Sequence, residues 1–325
     1  MIRNQWYVVL NSKEIKKGKV LGTTRLGEKL VFWRDKNGVI GCIFDKCTHR
    51  GASLSKGRLL SNNKIQCPFH GFEYDVTGTV TKIPANGKNA QVPERYKVHS
   101  YPARDAHGLI WIWWGEPVKE YPPLPFFEDI DDKFFYATYK DHWPVHYSRA
   151  IENQLDVVHL PFVHYNTIGR GCRTLIDGPI TKWENNELQV WAHMRKDDGS
   201  APLKEDEFPE PKQPSLLHFR FGNIWQNRLA EKFRIFAAFT PVDEENTIIY
   251  LRLYQKFIRL PLLGRLLTRL FHRFNRKILH QDKRVVITQQ PKKSSLRISE
   301  NLISGDKPII EYRKKRDELL KANNQ

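Results

Sequence analysis

Cysteine is scarce in this chain. It has four in 325 residues, at positions 42, 47, 67 and 172, too few to staple a scaffold of this length with disulfides. A reduced, cytoplasmic setting is the expectation. Long apolar runs are missing too. No stretch reaches the roughly 18 residues that a membrane span requires, and Leu109-Ile110-Trp111-Ile112-Trp113-Trp114 stops at Gly115 and reads as a buried strand. The opening Met1-Ile2-Arg3-Asn4-Gln5-Trp6 shows no basic start followed by an apolar run, so no secretion signal is expected. No G-x-G-x-x-G follows a strand, which excludes a dinucleotide site of that kind. Acidic residues are outnumbered, 36 against 53 Lys and Arg, for a net charge of +17. The basic residues are spread along the chain with no nucleic-acid motif among them, and an acidic protein partner accounts for the charge equally well.

What is present divides the chain in two. Residues 1 to about 117 read as short strands broken by turns. Examples are Lys29-Leu30-Val31-Phe32-Trp33 and Gly38-Val39-Ile40-Gly41-Cys42-Ile43-Phe44, with a hairpin signal at Asp35-Lys36-Asn37-Gly38 between them. Further turns fall at Ser61-Asn62-Asn63 and Thr77-Gly78-Thr79. A proline-rich connector, Glu120-Tyr121-Pro122-Pro123-Leu124-Pro125, marks the boundary. Beyond it, helical signals over Ser148–His159 and Pro261–Gln289 enclose strand-like runs at Leu216–Phe221 and Thr247–Leu253. Two domains, 1–117 and 118–325, follow. The first is all-β, the second α+β.

Chemistry is concentrated in Cys47-Thr48-His49, seventeen residues, then Cys67-Pro68-Phe69-His70. Each half offers a thiolate and an imidazole from a turn. A structural zinc site usually pairs Cys with Cys and His with His. One Cys and one His from each of two loops suit a [2Fe–2S] centre in which one iron takes two thiolates and the other two imidazoles. Gly51 and Gly71 would let backbone N–H groups turn towards sulfur, and Phe69, Phe72 and Tyr74 are expected to exclude water. Cys42 and Cys172, with no ligand type nearby, are expected to be packing residues.

The second domain holds Asn153-Gln154-Leu155-Asp156-Val157-Val158-His159-Leu160-Pro161-Phe162-Val163-His164. On one continuous helix His159 and His164 would point about 140° apart. Pro161 disfavours helix at Leu160 and lets His164 swing back. Asp156, three residues before His159, shares its helix face and can orient the ring. Two histidines and a carboxylate make a facial iron triad with positions open for O2. From Leu263, apolar residues Leu266, Leu267, Leu270, Phe271, Phe274, Ile278 and Val285 recur at helical spacing and mark one buried face. Asp282 falls on that face and is the expected third ligand, because a bare buried carboxylate is costly. Arg265, Arg269, Arg273 and Arg276 oppose that face and invite a rival reading as a membrane-surface anchor. The core-helix reading is preferred because of Asp282.

Cys47-Thr48-His49-Arg50-Gly51 with Cys67-Pro68-Phe69-His70-Gly71-Phe72 resembles the Rieske motif of aromatic-ring-hydroxylating oxygenases. Asn153-x-x-Asp156-x-x-His159-x4-His164 is similar to the mononuclear-iron signature of that family, and Asp282-Lys283-Arg284-Val285-Val286 to its carboxylate segment. The likeness covers nearly the whole chain and is weakest from Cys172 to about Asp243. It implies an N-terminal Rieske domain and a helix-grip (START-like) catalytic domain. Cys47 and Cys67 would hold the inner iron of the cluster, His49 and His70 the outer one. His159, His164 and Asp282 would hold the single iron, with Asn153 and Asp156 as catalytic residues.

The resemblance also implies a homotrimer in which Asp156 bridges His159 and the His70 of a neighbouring subunit. It implies O2 as co-substrate and electrons from a separate reductase, alone or with a ferredoxin, so that NAD(P)H acts only indirectly. Lys46, Arg50 and Lys56 beside the cluster suit an acidic donor. The expected function is a terminal oxygenase that hydroxylates or demethylates a small aromatic or polycyclic molecule. A desaturase of similar chemistry, and a non-catalytic Rieske carrier with an added domain, are the alternatives. The substrate and its pocket are not legible in the sequence.

Overall fold

Short runs rich in Val, Ile and aromatic residues, separated by Gly, Asn and Asp turns, set the strands of the first half. The computed structural model describes residues 1–208 and 215–322. Two compact units result: Asn4–Lys119 with Pro241–Asp243, and Met1–Arg3 with Glu120–Thr240 and Glu244–Gln325.

In the first unit the strands are β1 (Gln5–Asn11), β2 (Lys19–Arg25), β3 (Glu28–Arg34), β4 (Ile40–Phe44), β5 (Arg58–Leu59), β6 (Ile65–Gln66), β7 (Glu73–Tyr74), β8 (Val80–Lys82), β9 (Ala103–Ala106) and β10 (Leu109–Trp114). They form three small sheets, ordered β1-β10-β9, β2-β3-β4 and β5-β6-β7-β8. The hairpin signal at 35–38 joins β3 to β4, where the Gly38 amide donates to the Asp35 carbonyl and the Val39 amide to the Asp35 carboxylate. Every residue of β10 is buried. The Cys47 and Cys67 side chains are part of a core with Val31, Trp33, Ile43 and Leu54, so the two Cys–His loops are rooted in packed structure.

The second unit runs β11 (Phe135–Trp143), α1 (Tyr147–Leu155), α2 (Leu160–Val163), β12 (Leu175–Glu184), β13 (Glu187–Arg195), β14 (Leu217–Arg220), β15 (Ile224–Ala230), β16 (Phe233–Pro241), β17 (Thr247–Gln255), α3 (Pro261–Val286) and α4 (Lys307–Ala322). Its strands make one seven-stranded sheet, β11-β17-β16-β15-β14-β13-β12. The 26-residue α3 packs on β11 and β17, at one edge of that antiparallel sheet.

Four local expectations need correction. The α1 helix ends at Leu155, with Asp156 already extended at φ −71°, ψ 123°. The break precedes Pro161, which instead opens the short α2. Asp156 and His159 therefore do not share a helix face; the Asp156 carboxylate accepts the backbone amides of Val158 at 2.6 Å and His159 at 3.2 Å, a side-chain turn. The apolar stripe of α3 is not buried: Leu266, Leu270, Phe271, Phe274 and Val285 are exposed, and Leu267 and Ile278 half-buried. The buried face is Gly264, Thr268, His272, Asn275, Leu279, Asp282 and Val286, small and polar for the most part. Gly264 shows why: a Cβ there would lie 2.8 Å from a Phe135 ring carbon. Finally, Phe69 and Cys172 are exposed, unlike buried Phe72, Tyr74 and Cys42.

Candidate metal centres

The two Cys–His segments fold into matching turns. The Cys47 amide donates to the Ala52 carbonyl at 2.8 Å and the Gly51 amide returns to Cys47 at 2.9 Å. In the other loop the Cys67 amide donates to Phe72 at 2.8 Å and the Gly71 amide to Cys67 at 3.2 Å. Gly51 and Gly71 share φ of 73°, the left-handed region where a side chain would be strained. The thiols are buried and not disulfide-bonded. The imidazoles are exposed, with His49 and His70 ring centroids 4.6 Å apart. Tyr74 caps the set, its hydroxyl donating to Cys47 Sγ at 3.1 Å and accepting the Thr48 amide at 3.0 Å. Phe72 stacks flat on His49 at 4.9 Å. Burial pushes the Cys67 thiol up, and the adjacent Cys47 adds to this. Two buried thiols side by side favour a bound cationic centre, and an inner sulfur pair with an outer imidazole pair fits a binuclear iron–sulfur cluster.

The second group is His159, His164 and Asp282, whose donor atoms all lie within 4.8 Å of one another. His159 caps the start of α2 and His164 its end, so four helical residues separate them and their rings meet at 66°. Asp282 Oδ1 lies 2.9 Å from His164 Nε2 and 3.4 Å from His159 Nε2. The Nδ1–H of His164 points to Gln281 Oε1 at 3.0 Å, so its Nε2 carries the lone pair. That lone pair faces a buried carboxylate oxygen that has no hydrogen-bond donor. Two acceptors face each other, an arrangement that calls for a cation between them. Donors about 2.1 Å from one ion at right angles would be about 3 Å apart, which matches. Burial pulls the His159 imidazole down, but the Asp156 and Asp282 carboxylates outweigh it and push it up to about 9. Asp156 Oδ2 stands 3.7 Å from His159 Nδ1, beyond a hydrogen bond.

A cavity of about 840 Å³ opens beside this triad. Its floor follows strand alternation: Ala192 and Met194 from β13, Trp225, Asn227 and Leu229 from β15, Phe233 and Ile235 from β16. Asn153, Leu160, Phe271, Asn275 and Leu279 close it from the helices. No Lys or Arg is among the lining residues. Besides His159 Nδ1 and Asp282 Oδ1 of the triad, four polar atoms there are buried without partners: Asn153 Nδ2, Trp225 Nε1, Asn227 Oδ1 and Asn275 Nδ2. Unmet donors and acceptors in an apolar cavity are available to a ligand.

Sequence reasoning missed Gln281, Trp225, Asn227 and Asn275. Gln281 stands next to Asp282, but nothing in its spacing announces a histidine partner. The others lie on strands and faces whose orientation only the assembled sheet reveals. It also missed the anchor of α1: Glu152, buried, takes Arg313 Nε at 2.8 Å and Arg149 at 3.2 Å, while Glu300 takes both arginines at 2.7 and 2.8 Å.

Comparison with known proteins agrees with this geometry. Residues 5–102 match the model of the Rieske [2Fe-2S] domain, and residues 143–322 that of the vanillate O-demethylase oxygenase C-terminal domain. The chain is 31% identical over 265 residues to the toluene-4-sulfonate monooxygenase system iron-sulfur subunit TsaM1 of Comamonas testosteroni, covering 69% of this chain and 74% of that one. It is 26% identical over 330 residues to Protein TIC 55, chloroplastic, of Arabidopsis thaliana; this is 97% of the chain but spans only 59% of that relative's length. Its fold is that of a Pseudomonas putida CBB5 NdmA mutant solved with caffeine, with a TM-score of 0.78 at 23% identity, over 99% of this chain and 92% of that one.

Proposed function

The chain belongs to the Rieske non-haem iron oxygenases, and from that premise we propose that it is the terminal oxygenase of a multicomponent system acting on a neutral, largely apolar molecule. The observation that carries this is the His159–His164–Asp282 group beside a large apolar cavity, in a chain that also holds the Cys–His loops. When bound, the cluster supplies one-electron transfer and the single iron supplies O2 activation.

The protein's own residues do the rest. In this reading residues 1–117 carry electrons and 118–325 carry the chemistry. Cys47, Cys67, His49 and His70 hold the cluster. His159, His164 and Asp282 hold the iron, with Gln281 fixing the His164 tautomer. Asp156 orients the loop that presents His159. In a homotrimer it is the residue that links His159 to a neighbouring subunit's cluster. Asn153, Asn227 and Asn275 orient substrate inside the cavity through their unpartnered amide atoms.

Substrate charge follows from the lining. The charged groups there other than histidine are Asp156 and Asp282, both carboxylates. A substrate carboxylate or sulfonate would be desolvated without a cation to meet it. Neutral aromatic or polycyclic molecules with a carbonyl or ether acceptor fit. Hydroxylation and oxidative demethylation both suit such a site. Electrons come from a separate reductase, alone or through a ferredoxin.

The test is metal analysis with a substrate screen. The oxygenase reading expects about three irons per chain, a Rieske visible spectrum, and product from neutral apolar compounds with a surrogate reductase. Replacing both His159 and His164 with Ala is expected to remove the single iron and all product while leaving the cluster spectrum intact. About two irons per chain in the intact protein would identify an electron carrier instead.

A further inference from the structure

The outward face of α3 is an unusual surface for a helix that carries an iron ligand. Leu260, Leu262, Leu263, Leu266, Leu270 and Phe274 are between 43% and 84% exposed, and they form one side of the first half of the helix. A monomeric protein rarely leaves a contiguous patch of large apolar side chains in water without use. The stripe is flanked by Arg265, Arg269 and Arg273, and none of these has an acidic partner among the described residues. Between Glu245 and Asp282 the chain contains no acidic residue at all, and Asp282 itself is buried.

Further along the same helix, Arg273, Arg276, Lys277, His280 and Arg284, with Gln281, line a depression of about 440 Å³. Of the lining residues His280 has a carboxylate near it, the buried Asp141 at 3.6 Å, which itself engages Lys283 at 3.0 Å. The depression remains strongly cationic and is of a size to receive a phosphate-bearing group.

The apolar stripe also runs into the cavity. Leu229, Phe257, Phe271 and Phe274 line the cavity and are each 44–50% exposed, so they form its mouth. An opening rimmed by apolar side chains, on a helix whose flank is cationic, suits an apolar phase bounded by negative charge.

We propose that the outward face of α3 docks on an anionic lipid surface, with Leu262, Leu266 and Leu270 entering the acyl boundary, the flanking arginines at the headgroups, and the cavity mouth turned to the lipid. A helix with a large apolar face and arginines beside it lies in the interface plane, the arginine stems covering apolar surface while their guanidinium groups reach phosphates. No helix among the described residues is long and apolar enough to cross a membrane, so the contact is peripheral. Docking rests on the functional reading only for the route it gives substrate; it is measured without turnover, so either can fail alone.

The experiment is co-sedimentation of the full, iron-loaded chain with large vesicles of phosphatidylcholine, alone or mixed with phosphatidylglycerol. Binding is expected with the anionic vesicles and is expected to be weak with the neutral ones. Replacing Leu262, Leu266 and Leu270 with Ser should lower the partition coefficient at least about tenfold. Arg265→Gln, Arg269→Gln and Arg273→Gln together should lower it on the order of tenfold to a hundredfold. Both variants should keep the cluster spectrum and the iron content. No sedimentation with anionic vesicles, or equal sedimentation with neutral ones, overturns the proposal. So does a serine variant that binds as the parent does, which would mean charge adsorption alone. A serine variant that falls to a smaller assembly in light scattering would make the face a contact between copies of this chain, and overturns it as well.

Discussion

The Nδ1–H of His164 ends on Gln281 Oε1, which also accepts the Thr167 hydroxyl at 2.8 Å, so the amide is held from two sides and the imidazole is fixed in one tautomer. Partners of this kind typically change metal affinity or activity by about 10–100-fold when removed. Gln281→Leu is therefore expected to weaken ferrous-iron binding by about that factor, read by titrating iron back into protein stripped of its single iron, with the cluster spectrum unchanged. Unchanged affinity would show that the ring is oriented by something else. Asp156 makes a different demand. Its carboxylate fixes the turn after α1 through the Val158 and His159 amides, and an asparagine oxygen can take over that acceptance. Asp156→Asn is expected to retain both metals and to slow cluster reoxidation coupled to product about 10–100-fold; normal single-turnover kinetics would remove Asp156 from the electron route. The candidate Cys and His ligands stood out because those residue types at short spacing carry chemistry in their identity, whereas Asp282 was reached from an apolar stripe that in fact faces outward. Gln281 was not readable, since a glutamine beside a ligand is common on any helix surface.

At the scale of elements, α3 shows what periodicity can and cannot say. The recurrence of Leu and Phe announces an amphipathic helix, and a helix spans Pro261–Val286. Hydrophobic period does not reveal which side faces the protein when the inner side is built from Gly264, Thr268, His272 and Asn275. There Thr268 bonds Gln255 at 3.1 Å and Gly264 admits the ring of Phe135. Leu279→Ala, on the inner face, is expected to cost about 2–5 kcal/mol of stability, whereas Leu266→Ala should stay within about 0.5 kcal/mol. Denaturant unfolding separates them, and equal losses would restore the fully buried stripe. The α4 helix was not anticipated: it buries only Ile309 and Tyr312 in the apolar core, too few for a helical stripe to stand out, and ion pairs add to its hold. Arg313 clamps it to Glu152 on α1 and to Glu300. Burial pushes the Glu300 carboxyl up, but Arg313 and Arg149 outweigh that and hold it below the ordinary 4.5. A depressed carboxylate contributes stability above its unfolded value and loses it as pH falls through the folded one. Wild type should therefore exceed Glu300→Gln in melting temperature near neutral pH, and the gap should close as pH drops below about 4.5. A constant gap across that range would place the effect in packing.

For the molecule as a whole, legibility followed the range of the interactions. The small sheets of Asn4–Lys119 join strands through tight turns, and those turns declare themselves locally, as Asp35–Gly38 does between β3 and β4. The seven-stranded sheet pairs β11 with β17, more than a hundred residues later, and no local signal specifies that. The same distinction separates the Cys–His loops, written in short motifs, from the cavity, assembled from five strands and three helices. Charge is a property of the whole chain that sequence does give, and its sign can be tested. With +17 overall and Lys46, Arg50 and Lys56 exposed around the Cys47 loop, an acidic electron donor would be steered to that face. Steering acts through solvent and is screened over about 10 Å at 0.1 M salt. The bimolecular rate of cluster reduction by an acidic ferredoxin should therefore fall steeply between low and moderate ionic strength. Reversing the three residues to Glu should lower that rate about tenfold or more at low salt. The two proteins should converge at high salt, because only the long-range term has changed, while cluster and donor keep their potentials. A rate indifferent to salt, or a deficit that persists at high salt, would mean that the donor docks elsewhere or that the substitutions disturbed the cluster. The visible spectrum of the reduced variant tells those two outcomes apart.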